Sequence, residues 1–173
     1  PRDTTRLTYN QSTVGLFVQN TYKVNNSFSV ESGIRLDRSS PATQNNPDKL
    51  YVLPRLNLLF TISPQLTSRI GGGIGYKMPT PFIEDAEKIA YRNSMPINIG
   101  LVNAEKSYGV HADINYKIRR NEFTLSINQL LCYTRLNDPI RLQGNAYLNA
   151  KGYLDSRGAE TNIKIALDEL AVY

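Results

Sequence analysis

The sequence predicts an all-β fold: an antiparallel transmembrane β-barrel segment of about seven or eight meander strands. Three observations carry that expectation. Apolar and polar residues alternate with period two along nearly the whole chain. The connections between alternating stretches are short and long in turn. Aromatic side chains collect on the apolar face near the strand ends.

The strands follow in order. In "VGLFVQNTYK" Val14, Leu16, Val18 and Tyr22 share one face, and Gly15, Phe17, Gln19 and Thr21 the other. "FSVESGIRLD" sets Phe28, Val30, Ile34 and Leu36 against Ser29, Glu31, Gly33, Arg35 and Asp37. "LYVLPRLNLLFTI" places Leu50, Val52, Pro54, Leu56, Leu58 and Phe60 together, with Tyr51 and Arg55 opposite. "LTSRIGGGIGYK" places Leu66, Ile70, Ile74 and Tyr76 against Arg69, Gly71, Gly73, Gly75 and Lys77. "YGVHADINYK", "FTLSINQLLCY" and "GAETNIKIAL" continue the pattern, and residues 170–173 begin an eighth strand. Helical periodicity is nearly absent. Each strand runs about ten residues, longer than the usual globular strand and long enough to cross a bilayer core at a tilt. The apolar faces of the first six strands carry no charge, whereas the opposite faces carry nearly every charge the strands possess. That is the dyad repeat of a membrane barrel, apolar to lipid and polar to the lumen.

The short connections fall at Asn25-Asn26, Ser63-Pro64, Arg119-Arg120 and Asp168-Glu169, and the long ones at 38–49, 78–106 and 136–151. Short periplasmic turns and long extracellular loops have this parity. Tyr22, Phe28, Phe60, Tyr116 and Phe123 lie on the apolar face beside short turns, and Tyr76 and Tyr133 on that face at the other end, as two aromatic girdles require. A soluble barrel also alternates, with its apolar face inward. A soluble β-barrel binding protein, or a small porin-like barrel of the outer membrane, is therefore the alternative architecture.

Composition excludes other classes. The net charge of +5 is dispersed, so nucleic acid is not an expected partner. No apolar run is long enough for a membrane helix. Cys132 is alone and His111 is the one histidine, so neither a disulfide nor a Cys–His nucleophile is available. "GGGIGYKMPTPF" satisfies neither phosphate-loop spacing, and Pro79 and Pro81 bar the helix such a loop needs. No catalytic constellation, metal site or cofactor is expected, and the chain is not expected to be an enzyme.

The segments "STVGLFVQNTYKVNNSFSVESGIRLD", "LPRLNLLFTIS", "GYKMPTPFIEDAEKIAYRN", "LVNAEKSYGVHADINYK" and "GYLDSRGAETNIKI" resemble, in order, successive barrel strands of TonB-dependent outer-membrane receptors of the Bacteroidota type. That resemblance implies a 22-stranded barrel with an internal plug. It also implies a location in the Gram-negative outer membrane and import of a scarce nutrient, often an iron chelate such as a siderophore, driven by TonB. Residues 1–173 would then be a partial barrel lacking the plug domain and the remaining strands. The partners implied are outer-membrane lipid, the chain's own plug and remaining barrel strands, TonB through the missing part, and an imported small molecule.

Two sets of side chains are candidates for function. Gly71, Gly73, Gly75, Arg69, Arg55, Glu31 and Arg35 lie on the lumen face, where a plug would be the neighbour. Glycine there either admits another backbone or relieves crowding in the wall. Tyr91, Arg92, Glu87, His111 and Tyr51 are substrate-binding candidates. The first three sit in a short amphipathic helix expected across Ile83, Ala86, Ile89 and Ala90. Mutual pairing of charges is the default for the rest of the lumen face.

Overall fold

The computed structural model describes residues 11–40, 48–79, 102–144, 146–167 and 170–172. These residues form ten strands: β1 (Ser12–Lys23), β2 (Phe28–Ser40), β3 (Lys49–Thr61), β4 (Leu66–Lys77), β5 (Glu105–Arg120), β6 (Phe123–Asn137), β7 (Ile140–Gln143), β8 (Ala146–Asn149), β9 (Tyr153–Leu167) and β10 (Leu170–Val172). Eight of them make one sheet in the order β1-β2-β3-β4-β5-β6-β9-β10, and β7 and β8 form a separate hairpin. Every neighbour in the large sheet is antiparallel. The sheet is open, because β1 and β10 do not pair with each other.

Residues opposite each other in an antiparallel ladder share a face, so the register tests the alternation directly. Leu16 faces Leu36, Val30 faces Leu58, Leu58 faces Ile70, and Ile118 faces Leu125. On the other face Glu31 meets Asn57, Arg69 meets Asp113, and Ser126 meets Lys164. The apolar face packs into no closed core: Leu16 is 76% exposed and Ile114 54%. Phe28 and Phe60 stack at 4.9 Å beside the short turns, as the girdle expectation requires.

Three features differ from the sequence expectation. β5, β6 and β9 extend past the alternating stretches, so the third short turn is Asn121-Glu122 rather than Arg119-Arg120. Asn121 takes the left-handed conformation there, with φ of 52°. Near the loops both faces of a strand can be polar, and alternation fades while the hydrogen-bonded ladder continues. Secondly, the connection 136–151 contains the β7–β8 hairpin. Its Ile140 and Tyr147 bury against Val102, with Leu142 packed beside them. The Ile140 N–H donates to the buried Glu105 carboxylate at 2.7 Å, which ties the hairpin to β5.

The third concerns Tyr76, expected in the lipid-side girdle. Its ring instead stacks on Tyr51 at 3.9 Å, and its hydroxyl donates to Asp37 at 3.0 Å. The reason lies in the β3–β4 ladder, which runs only from Arg55–Gly73 to Thr61–Thr67. The next pair would be Pro54 with Ile74. A Cβ at Gly73 would lie 3.0 Å from the Pro54 carbonyl, so that carbonyl is aimed at β4. In a strand the N–H and C=O of one residue point the same way, so the donor that proline lacks is missing on this seam. Pairing stops there, and Tyr76 turns into the space between the strands.

The inner wall as candidate functional site

The polar face is a network built from register. Arg55 on β3 reaches across β2: it pairs with Glu31 at 3.8 Å and donates to the Gln19 side-chain oxygen on β1. Asn57, two residues on, donates to the same Glu31 at 3.0 Å. Arg35 binds Asp37 at 2.7 Å, and Asp37 is almost fully buried beneath the Tyr76 hydroxyl. Arg69 binds Asp113 at 3.0 Å from the adjacent strand. Asp113 is only 6% exposed, and its Oδ1 has no hydrogen-bond partner among the described residues. Several charges on this face are therefore matched within the wall, the Arg35–Asp37 and Arg69–Asp113 pairs at charge-assisted hydrogen-bond distance.

The glycines fit this network. A Cβ at Gly71 would collide with the Asn57 amide oxygen and lie 2.8 and 2.9 Å from the His111 ring. One at Gly75 would lie 2.7 Å from the Ser107 hydroxyl, and one at Gly158 2.8 Å from Cys132 Sγ. The bare backbone is the floor on which these neighbouring side chains lie, and a larger residue at any of these positions would displace them.

Of the substrate candidates, Tyr51 lies at the loop-side end and His111 lies mid-wall beside Gly71, opposite Cys132. They line different cavities. A cavity of about 580 Å³ is bounded by Tyr51, Lys49, Asn103, Asn137, Asp138 and Asn149 among others. Another, of about 450 Å³, has His111, Asn57, Gly73, Gly75 and Cys132 in its lining. Glu87, Tyr91 and Arg92, with the expected helix around them, lie outside the described residues. Among the described residues no group of three or more His, Cys, Asp or Glu could hold a metal ion.

The asparagines of the first cavity were not among the sequence candidates. Asn149 accepts from the Asn103 N–H at 2.7 Å and donates to the Asp138 carbonyl at 2.9 Å, while Lys49 donates to the Asn103 side chain at 2.7 Å. They come together because the β7–β8 hairpin is tied to Glu105 at the start of β5 and to Asn103 just before it. No local sequence signal announces that contact.

A family profile, described as TonB dependent receptor-like, beta-barrel, matches residues 1–173. No curated protein matches the chain. Among solved structures, the chain is similar to the FrpB iron transporter from Neisseria meningitidis (F3-3 variant), with a TM-score of 0.66 and 16% identity. The match covers 89% of this chain and 23% of that one, so the chain spans under a quarter of the transporter's length. At that identity the likeness concerns the fold.

Proposed function

The chain belongs to the TonB-dependent receptor-like β-barrel family, and from that premise we propose that it is part of the wall of an outer-membrane receptor that imports a scarce nutrient. The observation that carries the reading is the inverted open sheet. Its apolar face is exposed, its polar face is internally paired, and among the described residues its two edges lack partners. In lipid an unpaired edge costs several kcal/mol for each unsatisfied group. Further strands of the same barrel would satisfy both edges, and a barrel of about 22 strands leaves room for a plug. A nutrient too dilute to diffuse through a pore needs a site on the outside and energy from within. A plug and TonB would supply the second requirement. The match to an iron transporter favours an iron chelate, such as a siderophore, as cargo.

The test is uptake of a labelled iron chelate by iron-starved cells carrying the full-length receptor. Uptake should stop when either TonB or the proton gradient is removed. Uptake that persists without TonB would indicate a passive pore. Binding of the chelate with no uptake under any condition would remove transport altogether.

A further inference from the structure

The outer face is not apolar to its loop-side end. Register stacks three rows there: Lys106, Asn137 and Tyr153; then Tyr108, Arg135 and Asp155; then Val110, Tyr133 and Arg157. The next row down, Ala112, Leu131 and Ala159, is wholly apolar. Asp155 binds Arg135 through two bonds, at 3.0 and 3.3 Å. The Arg135 guanidinium also lies 4.0 Å over the Tyr153 ring, and that of Arg157 5.9 Å over Tyr133. Among the described residues of these rows Asp155 is the one carboxylate, beside Lys106, Arg135 and Arg157, so the rows carry two more positive charges than negative.

Surplus cations at the edge of a lipid-facing apolar band are placed to meet an anion that reaches them from the lipid side. We propose that this patch binds the phosphate of an anionic lipid in the outer leaflet, an inference that rests on the membrane-barrel reading above. The geometry fits such a headgroup. Asp155 and Tyr153 hold Arg135 in place, while the Arg157 guanidinium, over Tyr133, offers a planar fork matched to phosphate oxygens. Lys106 adds a point charge one row nearer the loops. Immediately below, Leu131 and Ala159 continue into the band that acyl chains would cover. A free phosphate ion would have no use for that continuity.

The experiment is native mass spectrometry of the full-length receptor in detergent, titrated with a phosphorylated glycolipid, with zwitterionic phosphatidylcholine, or with inorganic phosphate. The phosphorylated lipid should be retained in preference to the zwitterionic one. Retention should fall roughly fivefold for Arg157→Gln or Lys106→Gln, and about 25-fold for the pair. Arg120→Gln, on the same face at the short-turn end, should change nothing. Heat-modifiability on a gel checks that each variant is folded. If the glutamine variants fail to fold, the charge-keeping Arg157→Lys should retain most of the binding. Equal retention of charged and neutral lipids overturns the proposal, as does unchanged retention in the double variant. Competition by inorganic phosphate as effective as that by lipid makes this a free-anion site and also overturns it. A receptor that inserts in bilayers yet shows no lipid preference refutes this inference alone. One that does not insert refutes the membrane reading beneath it.

Discussion

The β5–β6 ladder and the β3–β4 seam are built from the same alternating pattern, yet only one is zipped from end to end. The first runs without a break from Lys106–Asn137 to Arg120–Phe123. The second stops at Arg55–Gly73, half-way up the wall. Pro54, with no donor, faces a strand whose Gly71, Gly72, Gly73 and Gly75 have no side chains to pack. Above the break, contacts between side chains replace the ladder: Tyr51 on Tyr76, and Tyr76 on Asp37. One missing N–H thus changes what holds two strands together, from backbone bonds to packing.

The harshest way to break the contrast is to give the complete ladder a proline of its own. Leu131→Pro sits in the middle of β6, paired on both sides, and should cost several kcal/mol through an orphaned group in lipid. The expected result is loss of the folded, heat-modifiable band for the full receptor. A variant that folds normally would mean that ladder completeness matters little.

A charge test asks whether lipid treats the two regions alike. Leu56→Arg beside the seam and Ile114→Arg in the ladder should each cost about 2–4 kcal/mol if both lie near the bilayer midplane. Folding free energies in lipid vesicles give the comparison. A much smaller cost at Leu56 would show that water reaches the seam.

Mending the seam should have a moderate effect. Pro54→Val restores a donor aimed at β4 and should stabilise by about 0.5–1.5 kcal/mol. Amide exchange at Ile74 should slow. Unchanged exchange there would clear the proline and leave the glycines as the cause. Tyr76→Phe should cost about 1 kcal/mol by removing the hydroxyl from Asp37, which keeps its bond to Arg35.

The smallest effect belongs to the β2–β3 rim. The Ser40 hydroxyl, and after it the Arg38 guanidinium, hold the Asp48 carboxyl below its ordinary value. A depressed folded pKa gives stability that is present above the unfolded value, about 4, and lost as pH falls through the folded one. Asp48→Asn should therefore melt slightly below wild type at pH 7, and the gap should narrow as the pH is lowered. The difference is small because the pair is solvent-exposed. A gap that widens on acidification would refute this.

Strand order and facing were legible in the sequence because lipid on one side and water on the other force every second residue to differ. Val14, Val30, Leu56, Ile74, Ile114 and Leu125 all fall on one face by register. The Tyr76 rotation was not legible from alternation alone. Its signal was present, since a proline in a paired strand opposite a glycine run marks an interrupted ladder. The β7–β8 hairpin was hidden because its buried side is satisfied by Val102 and Glu105, distant in sequence. As for the candidate site, alternation placed Tyr51 and His111 on the inner face but could not show that they line separate cavities. That depends on how far along each strand they sit.

The interrupted seam also bears on shape. A sheet resists bending chiefly through its backbone ladders, and above Arg55 the ladder between β3 and β4 has ended. A line without backbone cross-links is where bending meets least resistance, like a crease in a rolled card. A bending force on this sheet would therefore be felt first along the β3–β4 line at Pro54.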